Sequence, residues 1–95
     1  MDLLFPEAMS LKDKRRRISG LMARIRAGYP VSVAEVEHQD LLQRGVVGVA
    51  LVTTDTRLAQ SMFDRIVDGI GNDGEIELIS QSIEFFRPEG AQAYK

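Results

Sequence analysis

Two short runs concentrate the residues able to do chemistry. In Lys12–Arg17 five of six residues are basic: Lys12, Lys14, Arg15, Arg16 and Arg17. Arg24 and Arg26 extend the series. Closely spaced cations at the start of a helix suit phosphate oxygens, because the first backbone N–H groups are unpaired and the dipole is positive there. Lys12, Lys14, Arg15, Arg16, Arg17 and Arg24 are therefore candidate nucleic-acid contacts. The competing reading is a solvated face neutralised by acids such as Glu35 and Glu37. From Ser10 to Arg26 seven basic residues meet one acid, a net of +6. The rest of the chain sets five basic residues against thirteen acids, a net of −8. The total of −2 thus conceals a strong asymmetry, and the acidic balance argues against indiscriminate nucleic-acid binding without excluding a local basic site.

The second run is His38, Gln39, Asp40, Gln43 and Arg44. It reads either as a binding loop, with His38 and Asp40 as an acid–base pair, or as a loop held by side-chain hydrogen bonds with Asp40 capping a turn. The second reading is preferred, since a lone His beside a carboxylate lacks a nucleophile or a metal partner. Glu35 and Glu37 share one strand face, and pairing with the basic helix is their simplest use. Gly45 and Gly48 match no phosphate-loop pattern; a turn and close packing account for them. Met9, Met22 and Met62 read as core or staple residues. Cysteine is absent and there is one histidine, so thiolate and multi-His metal sites within one chain are excluded. No catalytic residues, metal or cofactor are expected, and the chain reads as a non-enzyme.

These runs need elements to hold them. Ser10, followed by Asp13, caps a helix that carries Leu11, Ile18, Leu21, Met22 and Ile25 on one face. Gly20 weakens it and implies close approach to a neighbouring backbone; Gly28 and Pro30 end it. Leu3, Leu4 and Phe5 read as the end of a strand stopped by Pro6. Val31–His38 reads as a strand with a bulge near Val33–Ala34. Gly45–Thr54, apolar on both parities, reads as a central strand buried on both faces. Thr56–Ile70 is a second helix capped by Thr54 or Asp55, with Leu58, Ala59, Met62, Phe63, Ile66 and Ile70 inward. Glu75–Phe86 reads as a long, bulged final strand. The order predicts an α+β, ferredoxin-like βαββαβ sandwich: an antiparallel four-stranded sheet with two helices on one face, its first and third strands central and its first strand truncated. Residues 1–87 form the single domain and 88–95 a flexible C-terminal tail.

The stretches SLKDKRR (Ser10–Arg16) and VSVAEVEHQDLLQRGVVGVA (Val31–Ala50) resemble the YlxP-like family, a bacterial domain of unknown function. The likeness runs from Leu3 to Phe86. It rests on SLKDKR and on the VAEV-x-HQD-x-x-QR segment. The resemblance implies a ferredoxin-like fold. It also implies a connection to RNA or the ribosomal subunits, because the family's genes often lie near those for translation initiation and ribosome maturation factors. It transfers no catalytic residues. The chain departs from the family pattern at its start, where Met1 falls in the middle of the usual first strand; a displaced start is the preferred reading.

Two helices cover only one sheet face, so a homodimer through the sheet or an edge is expected. A partner-binding module using the sheet face or the 38–45 hairpin loop is the alternative function. No apolar run approaches the ~20 residues of a membrane span and no secretory signal is read, so a cytoplasmic protein without membrane contact is expected.

Overall fold

A computed structural model describes residues 1–87. Its elements are β1 (Asp2–Leu4), α1 (Leu11–Gly28), β2 (Ser32–Glu37), β3 (Arg44–Ala50), α2 (Thr56–Gly71) and β4 (Glu77–Ser80). The sheet order is β2-β3-β1-β4 and every neighbouring pair is antiparallel. This is the ferredoxin-like arrangement, with β1 and β3 central as the element order requires. The tail expected over 88–95 lies outside the described residues.

One face of the sheet carries the core. Leu3 pairs with Gly45 and Leu78, and Val33 with Val49. These positions meet Ile18, Leu21 and Ile25 of α1 and Ile66 and Ile70 of α2 in one cluster with Phe5, Ala8, Val47 and Ile76. Alternation puts Leu4, Val46, Gly48, Ala34 and Ala50 on the other face. Among them Leu4, Val46 and Gly48 are half-buried and Ala34 and Ala50 exposed, so β3 is buried on one face only. Among the described residues no helix is long and apolar enough to cross a membrane.

Several local expectations are corrected. The bulge in β2 lies between Glu35 and Glu37 rather than at Val33–Ala34: Glu35 faces Val47 and Glu37 faces Val46, and Val36 is extruded. The Val36 side chain then lies over Gly48, where an added Cβ would come within 3.2 Å of it. β3 stops at Ala50, whose partner Ser32 is the first residue of β2, and β4 stops at Ser80, whose partner is Asp2 of β1, so both are shorter than the expected ends at Thr54 and Phe86. Gly20 makes no close backbone approach; an added Cβ would meet only the Arg24 guanidinium at 3.7 Å. Met9 and Leu58 are exposed rather than inward, whereas Met22 and Met62 pack against the core. Gly28 is the last helical residue and Tyr29 the C-cap.

Candidate nucleic-acid interface

The start of α1 is built as its sequence suggests. Ser10 Oγ accepts from the Asp13 N–H at 3.0 Å, and Asp13 Oδ2 accepts from the Met9 N–H at 3.3 Å. Side chains on both sides of the cap thus satisfy otherwise unpaired donors. From this start the helix advances about 100° per residue, which sorts its cations onto three faces.

The inner face takes Lys14 with Ile18, Leu21 and Ile25. Lys14 is completely buried. Its ammonium donates to the His38 carbonyl and lies 3.2 Å from Glu35 Oε2, whose side chain is 14% exposed. Lys14 is therefore removed from the candidate phosphate contacts, because its spacing from the three apolar residues turns it into the core. That spacing was the signal available in the sequence, masked by the basic neighbours.

The face toward α2 and the following turn is neutralised. Arg16 Nη2 lies 2.6 Å from Asp13 Oδ1, and Arg17 reaches Asp13 at 3.2 Å and Glu75 at 2.9 Å. Arg24 reaches Asp73 at 2.9 Å across to the turn after α2. The Arg16 hydrogen bond, ahead of the opposing effect of burial and the help of Met9 N–H and Arg17, holds the Asp13 carboxyl below its ordinary range.

The outer face carries Lys12, Arg15, Ser19, Ala23 and Arg26, all exposed and without an acid among them, with the Asp13-paired Arg16 at its border. Lys12 and Arg15 have no ion-pair partner among the described residues. Arg26 donates one N–H to the Val33 carbonyl at 2.9 Å. Between the cations Ser19 and Ala23 leave the helix surface low. The strip is about 21 Å long at 1.5 Å per residue.

The His38–Arg44 cluster is brought together, and much of it fastens the hairpin. His38 adopts a left-handed φ of 64°, which a non-glycine residue holds only at a cost of about 1 kcal/mol or more. Its carbonyl accepts from Lys14 and from the Leu41 N–H, closing the turn. Gln43 donates through Nε2 to the Pro6 and Ala8 carbonyls at 3.0 and 3.4 Å, and Gln39 to the Glu35 carbonyl at 3.5 Å. Arg44, the first residue of β3, grips Asp2 through Nε at 3.3 Å and Nη2 at 2.7 Å. That hydrogen bond pulls the Asp2 carboxyl below, and the Arg44 guanidinium above, their ordinary values. No side-chain hydrogen bond joins His38 to Asp40 among the described residues.

Sequence reasoning missed the tightest point of this end. A Cβ on Gly45 would lie 3.0 Å from Ile18 Cδ1, 3.1 Å from Glu35 Oε2 and 3.5 Å from Phe5. The glycine makes room for the carboxylate that faces Lys14, a relation between three elements that spacing along one of them does not reveal.

Two comparisons with known proteins bear on most of the chain. A family model described as "Protein of unknown function (DUF503)" matches residues 1–83. A protein of Bacillus subtilis (strain 168), described as "Uncharacterized protein YlxP", is 30% identical over 80 residues, covering 84% of this chain and 87% of that one.

Proposed function

The chain belongs to the DUF503 family, proteins of unknown function, and we propose that its own role is that of a small non-enzymatic accessory protein that binds RNA, with a ribosomal subunit as the carrier of that RNA. The observation that supports this reading is the outer strip of α1. Its cations stand in line on a rigid helix, no acid interrupts them, and Lys12 and Arg15 have no intrachain carboxylate to compete with a phosphate. Binding is to backbone and shape rather than to bases. The central strands β1 and β3 present no aromatic for stacking in the manner of RNA-recognition modules, their sequences being DLL and RGVVGVA. The working set is narrower than the basic run: Lys12, Arg15 and Arg26, with Arg16, Arg17 and Arg24 occupied by acids.

Co-sedimentation with isolated ribosomal subunits across a salt series tests it. Each phosphate contact steepens the fall of log affinity with log salt by about 0.7 to 0.9. The variant Lys12→Ala/Arg15→Ala is expected to bind more weakly and to lower that slope by roughly 1 to 2, while Arg24→Gln leaves it unchanged. An unchanged slope in the double variant, or no binding by the folded wild-type chain, overturns the reading.

A further inference from the structure

The outer strip of α1 is charged at its two ends and not between them. Lys12 and Arg15 stand one turn apart at the start of the helix, and Arg26 follows Arg15 by eleven residues, about 16.5 Å along the axis. At 100° per residue the three cations lie within about 60° of one another around the helix, so they leave it along one line. Between Arg15 and Arg26 that line carries only Ser19 and Ala23, both exposed and both short. The nearest acid, Asp13, is turned away from it toward Arg16 and Arg17. Arg26 is held in place by the one N–H it donates to the Val33 carbonyl, and its other guanidinium N–H groups stay available to a ligand.

We propose that the RNA taken by this strip is double-helical and that α1 crosses its minor groove. Lys12 and Arg15 hold phosphates of one strand, Arg26 holds those of the other, and Ser19 and Ala23 lie over the groove floor between them. Duplex recognition rests on the proposed binding of RNA by this strip and adds the form of RNA that it takes. Charge at the two ends alone fits two backbones better than one. A single strand laid along α1 would carry its middle phosphates over Ser19 and Ala23, where no cation meets them. A duplex instead presents two phosphate ridges with a groove between. In A-form RNA that groove is the wide, shallow minor groove, lined by 2′-hydroxyls. Residues as short as Ser19 and Ala23 reach only a shallow floor, and the Ser19 hydroxyl can both donate to and accept from a 2′-hydroxyl. They would not reach the floor of the B-form DNA major groove, about 8.5 Å deep, and the B-form minor groove, about 6 Å wide, is far narrower than the span of the cations. Platforms for single strands stack unpaired bases on aromatic side chains, and this line of α1 has none.

The test is fluorescence anisotropy of the full chain with three labelled probes: an RNA duplex of about 16 base pairs, one of its strands alone, and the DNA duplex of the same sequence. At equal salt the RNA duplex is expected to bind about tenfold or more tighter than either of the others. Arg26→Gln is expected to lower the salt slope for the RNA duplex by about 1. Ala23→Leu raises the middle of the strip and keeps every cation. It is expected to remove the preference for duplex RNA with unchanged circular dichroism, since position 23 is exposed and Leu is a good helix former. Ser19→Ala is expected to narrow the ratio of RNA-duplex to DNA-duplex affinity while leaving DNA binding as it was. Single-strand or DNA binding as tight as that of the RNA duplex, or an Ala23→Leu chain that keeps the preference, overturns duplex recognition. If Lys12→Ala/Arg15→Ala still weakens RNA binding in that case, the strip binds RNA without selecting its form. No binding to any RNA by the folded chain overturns both.

Discussion

β3 begins at one kind of sheet end and finishes at another. At Arg44 and Gly45 the surrounding groups are paired inside the chain: Lys14 with Glu35 and the His38 carbonyl, Gln43 with Pro6 and Ala8, Arg44 with Asp2. At Val49 and Ala50 the ladder is made with β2, and Val52 just beyond it stands in solvent. The demand is the same at both ends, since backbone donors and acceptors away from water need partners. What differs is the supply. The first end lies under α1, whose inner face can lend it a buried cation. At the second, Val49 and Ala50 are paired with Val33 and Ser32 of β2 and have no buried ion pair beside them among the described residues.

Removing the cation gives the largest expected effect. Lys14→Ala strands the Glu35 carboxylate in a nearly closed site and frees the strained His38 carbonyl. A loss of about 3 kcal/mol in urea unfolding is expected, the lower end of the range for broken buried pairs because Glu35 keeps some water. Replacing both partners, Lys14→Met with Glu35→Leu, should recover most of it. A single-variant loss under about 1 kcal/mol would mean that water substitutes for the ammonium and that the two sheet ends differ less than their geometry says. Gly45→Ala comes next. Its Cβ contacts at 3.0 and 3.1 Å force Ile18 or Glu35 aside, and overpacking of this kind costs about 1–3 kcal/mol. The matching change further along β3, Gly48→Ala, meets the half-exposed Val36 at 3.2 Å and the Ala34 carbonyl only at 3.9 Å, and should cost less by the same measurement.

The two ends were unequally legible. The element order, the cap at Ser10, a second cap at Thr54 or Asp55 and the central place of β1 and β3 follow from local chemistry and periodicity; all are found, with Asp55 as the second cap. The polar residues of the hairpin were read as one cluster, and Gln39, Gln43 and Arg44 do make the hydrogen bonds that tie the loop down. Lys14 was misplaced because charge density outweighed its register with Ile18, Leu21 and Ile25. The bulge was misplaced because the apolar residues of β2 fit either site; Val36 leaves the ladder where Gly48 leaves space for it. β3 and β4 were drawn too long for one reason. Apolar alternation in Leu51–Thr54 and in Gln81–Phe86 marks chain able to form strand, but strand needs a neighbour, and a sequence segment does not say whether one is there.

Acid sharpens the comparison further. The Asp2 carboxyl at the hairpin end and the Asp13 carboxyl at the cap are both held below their ordinary range, chiefly by hydrogen bonds from Arg44 and Arg16. A carboxylate with a depressed folded value adds stability above the unfolded value, about 3.9, and loses it as pH falls through the folded value. Stability should therefore drop below about pH 4 in a urea series. Asp2→Asn and Asp13→Asn should each flatten that limb while leaving the profile between pH 5 and 7 parallel to wild type. An unflattened limb in both variants would assign the acid response to other carboxylates and remove these two ion pairs from the account of the satisfied end.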